Sequence, residues 1–104
     1  MEPAGLPALL DAIRHLEGCA AKWVESVPVH ETHDGQTVWD GDVQVFDLVK
    51  HRKGAARAYA WSHATEGTRR RFHVVLHLPP VDGPVMAVRT SVLAEYQQRQ
   101  RATN

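Results

Sequence analysis

The chemistry open to this chain rests on histidines, carboxylates and two basic runs. His30-Glu31-Thr32-His33-Asp34 holds two imidazoles and two carboxylates. A His-x-x-His spacing can ligate zinc when both side chains converge. No cysteine and no further close-spaced ligand pair accompanies it, so the segment reads as a solvated polar connection and no metal is expected. Asp40, Asp42 and Asp47 could support metal-assisted phosphoryl chemistry only if the fold gathered them with Glu66 or a histidine. Turn and edge carboxylates are the simpler reading. Cys19 is the lone cysteine. A reactive thiol needs a base placed beside it, and nothing local supplies one. Cys19 therefore reads as a small, half-buried helix residue. The chain has no phosphate-binding glycine loop, nucleophile elbow or CxxC pair, and no cofactor is expected.

A second constellation lies on extended segments. Arg69, Arg71, His73, Val75 and His77 alternate onto one side, and Arg70, Phe72, Val74, Leu76 and Leu78 onto the other. In the segment before, Arg57, Tyr59, Trp61 and His63 share a side, opposite Ala56, Ala58, Ala60 and Ser62. The candidate binding residues are Tyr59, Trp61, His63, Arg69, Arg71, His73 and His77. His73 and His77 stand two pleats apart, roughly 13 Å along the strand, too far to share a metal. Lys50-His51-Arg52-Lys53 and Arg69-Arg70-Arg71, with Tyr59 and Trp61, could make a stacking and phosphate-binding surface for nucleic acid. The alternative is a charged edge that discourages sheet aggregation.

These residues need elements to hold them. With 104 residues, the chain has length for one domain, 1–104, and not for two. Hydrophobic residues are 43% and charged residues 23%, a globular mix rather than a disordered one. The net charge is +0 with histidine neutral. That argues against a surface that tracks polyanions throughout and offers little repulsion against self-association. The lone cysteine forms no internal disulfide, and the start lacks a signal-peptide pattern. A cytoplasmic protein is expected. No segment reaches the roughly 18 to 20 apolar residues of a membrane span.

Apolar residues at Leu6, Leu9, Leu10, Ile13, Leu16, Ala20, Trp23, Val24 and Val27 follow helical spacing. They predict a first helix with Pro7 in its opening turn and Pro28 as its stop. Gly18 falls inside it. Asp34-Gly35 marks a turn. Asp40-Gly41, between Thr37–Trp39 and Val43–Val49, predicts a hairpin, with a bulge in one long strand as the alternative. Lys50 to Gly54 is a basic connection. Strands follow over Ala55–His63 and Thr68–Leu78, and Pro79-Pro80 ends the sheet. Pro84 opens a second helix with an apolar stripe of Val85, Val88, Val92, Leu93 and Tyr96. Residues 1–5 and 98–104 are expected to fray. The fold class is α+β, in two layers. The order is α-β-β-(β)-β-α, an antiparallel sheet of three or four strands with both helices on one face.

Register decides what the face of His73 looks like. With His63 opposite Arg69, Tyr59 meets His73 and Trp61 meets Arg71 on an open face. Slipped by one residue, Tyr59 and Trp61 join Phe72 and Val74 in the core. Burying two aromatics contributes roughly 1.5 to 3 kcal/mol each, so the buried-aromatic register is expected.

One set of runs carries a resemblance: Val45-Phe46-Asp47-Leu48, Ala58-Tyr59-Ala60-Trp61-Ser62, Arg71-Phe72-His73-Val74-Val75-Leu76-His77, Pro80-Val81 and Ala87-Val88-Arg89. From about Val38 to Val92 the chain resembles small uncharacterised bacterial proteins of the integron-cassette, mobile-metagenome kind. The resemblance implies a compact accessory protein, oligomeric by expectation, and gives no residue a role. The helix-sheet-helix order is also similar to the layout of double-stranded RNA-binding domains. Those begin their last helix with lysines, where this chain has Pro84-Val85-Met86-Ala87-Val88-Arg89, and fold likeness alone carries no function.

The leading expectation is a non-enzymatic interaction domain that self-associates, as a dimer for preference. Binding of nucleic acid or a small ligand through the basic, aromatic strand face is the alternative. A small hydrolase using a histidine and an aspartate is a third.

Overall fold

The computed structural model describes residues 3–103, with side chains described for 3–92, 94 and 95. The elements are α1 (Leu6–Glu17), β1 (Ala20–His33), β2 (Gln36–Val49), β3 (Arg57–Ala64), β4 (Arg70–Leu76) and α2 (Pro84–Thr103). The strands form one antiparallel meander in the order β1-β2-β3-β4. The α+β class and the helix, sheet, helix order are as expected.

The first helix is half the expected length. Gly18 takes a left-handed conformation at φ 67°, and its N–H closes on the Arg14 carbonyl at 2.9 Å. This is how glycine ends a helix. Residues 20–33 are then a strand, and Cys19 sits half-buried between the two elements rather than within a helix. The helical spacing arose from a bulge. Trp23 pairs with Phe46, yet Glu25 pairs with Val45, which leaves Val24 unpaired. Ala21 and Trp23 therefore pack toward α1, whereas Val27 and Val29 pack toward α2. One extra residue makes period two look like period three or four.

The hairpin falls at Asp34-Gly35, with φ of 52° and 77°, as a two-residue turn of the primed type requires. At Asp40-Gly41 the chain runs straight through in β2, with an irregularity that leaves Val38 without a partner. Gly41 is a glycine for a packing reason. A Cβ there would come 3.2 Å from the Trp39 ring.

The placement of both helices on one face is corrected. Leu6, Leu9 and Ile13 of α1 pack on Phe46 and Ala60. Ala87 and Val88 of α2 pack on Val43, Val45, Tyr59 and Trp61. Neighbouring strand residues point to opposite faces, so the sheet lies between the helices in three layers. Its alternating sides are both apolar enough to need cover. Of the second stripe, Val85 is exposed and Ala87 is buried in its stead. The side chains of Leu93 and Tyr96 lie outside the described residues. So do residues 1, 2 and 104 of the ends expected to fray; residues 98–103 form the last turns of α2.

Candidate functional site

β3 and β4 hold the candidate residues in a register that neither alternative described. Tyr59 is opposite Val75, Trp61 opposite His73, and His63 opposite Arg71. The faces combine as in the first alternative, displaced by two residues. The aromatics are nonetheless buried, Tyr59 at 2% and Trp61 at 4% exposure. They lie with His73 rather than with Phe72 and Val74, because α2 covers the face that was assumed open. Two covered faces remove the choice between burying the aromatics and placing them beside the histidines.

A row of rings runs across this face. Trp39 meets Trp61 edge-on at 5.7 Å between centroids. Trp61 lies parallel to His73 at 5.3 Å and 13°. His73 reaches His63, with Nε2 and Nδ1 3.2 Å apart. Such a contact needs one ring nitrogen to donate and the other to accept. Burial lowers the His73 pKa, aided by His63 and Arg71 and opposed by Glu95. The neutral imidazole is thus favoured. Arg71 extends to Glu95 of α2 at 3.6 Å.

Tyr59 and His77 form a separate pair, with the hydroxyl 2.7 Å from Nδ1. The Tyr59 pKa is raised, chiefly by burial, with Arg57 opposing and Asp82 assisting. The phenol therefore keeps its proton, and the tautomer of His77 sets which of the two groups donates. Arg69 lies in the exposed turn between β3 and β4. Its carbonyl accepts from Thr65 N–H and its own N–H donates to the Glu66 carbonyl, both at 3.0 Å. Of the seven candidates, Trp61, His63 and His73 form one cluster with Arg71 at its border. Tyr59 and His77 stand beside it, and Arg69 stands off. Tyr59 and Trp61 are core residues that position the row, not a platform on which a base could stack.

The other candidate groups are dispersed. His30 lies 3.5 Å from Asp40 and His33 lies 3.4 Å from Asp34. Asp47 holds Arg57 at 3.2 Å. Among the described residues no three or more histidines, cysteines or carboxylates are grouped to hold a metal ion. No described helix is long and apolar enough to cross a membrane.

Sequence reasoning missed the outer edge of β4. His77 N–H donates to Arg57 O, and Arg69 O accepts from Thr65 N–H. Odd-numbered residues of this regular strand therefore turn their backbone groups toward β3. The N–H and C=O groups of Arg70, Phe72 and Val74 point away from the sheet, as does the Leu76 N–H, while the Leu76 carbonyl accepts from Leu78 N–H at 2.9 Å. Beside this edge lies an open groove of about 730 Å³, walled by Ala12, Leu16 and Phe72 with Asp11, Arg70 and Arg71. Leu16 is 54% exposed there. The signal was present in the even-numbered alternation of β4, but only the order of the strands shows that nothing pairs with it. No family model, curated protein or solved structure matches this chain.

Proposed function

We propose that this chain is a self-associating interaction domain in which two copies join through the free edge of β4. The observation that carries this reading is the contrast between the two edges of the sheet. The β1 edge is interrupted by the bulge at Val24 and by Pro28, which has no N–H to offer. Bulges and prolines are the devices that keep an edge from pairing. β4 has neither bulge nor proline, its register with β3 is regular from Arg70 to Leu76, and its edge charges, Arg70 and Arg71, are confined to its first two residues. Its outward groups are a template for another strand.

A second copy suits the edge better than an unrelated strand. Antiparallel pairing about a two-fold axis brings the second copy's Val74 and Leu76 beside Phe72, Ala12 and Leu16, so that the apolar groove is filled. The same pairing holds the Arg70-Arg71 runs of the two copies apart, avoiding like charges across the strands. Two-fold interfaces of this kind use one patch twice. A net charge of +0 adds no general repulsion. Nucleic acid is not favoured, because the aromatics it would stack on lie beneath α2.

Sedimentation velocity from about 5 to 500 µM tests this reading. The wild-type chain is expected to sediment as a dimer at the upper end. Leu16→Glu, at an exposed groove position, and Val74→Pro, which removes one outward N–H, are expected to be monomers. Far-UV circular dichroism should show that both are folded. A strict monomer at high concentration overturns the proposal, as does a dimer indifferent to Leu16→Glu.

A further inference from the structure

The outward groups of β4 also fix how two copies must align. Arg70, Phe72 and Val74 on each copy offer both backbone groups, and Leu76 offers its N–H and the second lone pair of a carbonyl that already accepts from Leu78 N–H at 2.9 Å. One antiparallel register engages all of them, with Arg70 opposite Leu76 and Phe72 opposite Val74 of the second copy. Any shift leaves at least one unpaired, and a shift toward the strand start brings Arg70 and Arg71 nearer to their counterparts. The full register puts the two-fold axis beside His73. His73 then faces His73 of the second copy as a non-hydrogen-bonded pair, with Cα atoms about 4.5 Å apart.

We propose that two copies pair β4 in this register, and that the row His63–His73–His73–His63 it creates makes the dimer dissociate in acid. This deepens the self-association reading and rests on it. The groups that face His73 are few. From β3 comes His63, at 3.2 Å, with the face of Trp61 beneath. On β4 itself there is Arg71, and from α2 there is Glu95, which lies 3.6 Å from Arg71. α1 is on the other side of the sheet. Each copy therefore brings two imidazoles and a guanidinium against one carboxylate, and the dimer doubles both.

At neutral pH the lowered pKa keeps His73 uncharged, and Arg71 and Glu95 are the fixed charges beside it. The His63–His73 contact tolerates one proton shared between the rings, because a second leaves two donors facing each other. In the dimer, a protonated His73 would stand beside another. The sign follows from linkage. Burial and nearby cations hold the His73 pKa below its ordinary value in one copy, and a second imidazole lowers it further. The dimer thus binds fewer protons than the separated copies. Association is full at neutral pH and weakens as pH falls through the already lowered pKa of His73 in the separated copies, below its ordinary value.

Two measurements on the full chain test the register and the gating. With Cys19→Ser to remove the native thiol, His73→Cys is expected to form a disulfide-linked dimer on mild oxidation, since the Cα separation suits such a bond. Arg71→Cys on the same background should not, because its counterparts would lie roughly 13 Å apart along the strands. In sedimentation, the wild-type dissociation constant is expected to rise at least tenfold between about pH 7.5 and 5.0. His73→Gln, which cannot be protonated, should flatten that dependence. A dimer whose affinity ignores pH, one whose pH dependence survives His73→Gln, or one that crosslinks at Arg71→Cys in preference to His73→Cys overturns this inference and leaves self-association standing. A chain that is monomeric at every pH overturns both.

Discussion

His51 shows how far a single residue can depart from what its neighbours suggest. It sits in the run Lys50-His51-Arg52-Lys53, which reads as a basic, solvated connection. Its side chain is 0% exposed. Nδ1 accepts the Lys53 N–H at 3.1 Å, so the ring proton is on Nε2 and is donated to Glu17, 2.9 Å away. Lys50 and Gly54, at φ 54° and 76°, turn the chain to allow this. The contact ties the last turn of α1 to the β2–β3 connection. Removing the acceptor would leave a buried donor unpaired, which costs about 1–3 kcal/mol. Glu17→Ala is therefore expected to lose about 1–3 kcal/mol in urea denaturation, and Glu17→Gln, which keeps an acceptor oxygen, most of a unit less. Equal losses for the two variants would show that the hydrogen bond is not what Glu17 contributes. None of this was legible in the sequence, because Glu17 and His51 are 34 positions apart. His63 and His73 were more legible. Alternation placed both correctly on one side of their strands, and only the register that joins them was missing.

At the scale of elements, alternation read well and boundaries did not. β3 and β4 showed their faces because each is short, regular and free of bulges. α2 showed its start because Pro84 fits only the first turn. α1 was overextended through Val27 because the bulge at Val24 moves the apolar positions from one face of the sheet to the other. Hydrophobic spacing alone cannot separate that from a helix. The element that decides is Gly18. Helical spacing puts it inside the helix, whereas its left-handed φ of 67° is what stops α1. A Cβ at Gly18 would meet nothing within 4 Å, so any cost of Gly18→Ala is the backbone conformation alone. Such a conformation costs an L residue roughly 1–2 kcal/mol. Gly18→Ala should destabilise the fold by that amount, read from chemical denaturation. Gly18→Asn, which tolerates the same conformation better, should recover part of it. A neutral Gly18→Ala would mean that the helix end is set by β1 pairing instead.

For the whole molecule, the missing idea was that one sheet needs two covers. With a single core face, Tyr59 and Trp61 must lie either in the core or beside the histidines. The chain carries apolar alternation on both sides, from Phe46 and Ala60 on one to Val45, Tyr59 and Trp61 on the other. A central sheet with one helix on each face satisfies both, but each helix must then cover its face alone. α1 is only 12 residues long. It leaves Leu16 and the groove beside β4 uncovered, the place proposed for a second copy. If that copy completes the fold, stability must depend on concentration, since dissociation accompanies unfolding. Unfolding absorbs roughly 0.7 kcal/mol of enthalpy per residue near 60 °C, or about 145 kcal/mol for two chains of 104 residues. Tm should then rise by about 3 °C for each tenfold increase in protein concentration, in calorimetry near pH 7.5. Leu16→Glu should show a lower Tm that no longer moves with concentration. The wild-type slope should also shrink toward zero near pH 5, where the histidine row would already have parted the copies. A wild-type Tm that stays fixed from about 5 to 500 µM would mean that α1 and β4 are sufficient as one copy holds them, and that the groove is an open surface with no second chain to fill it.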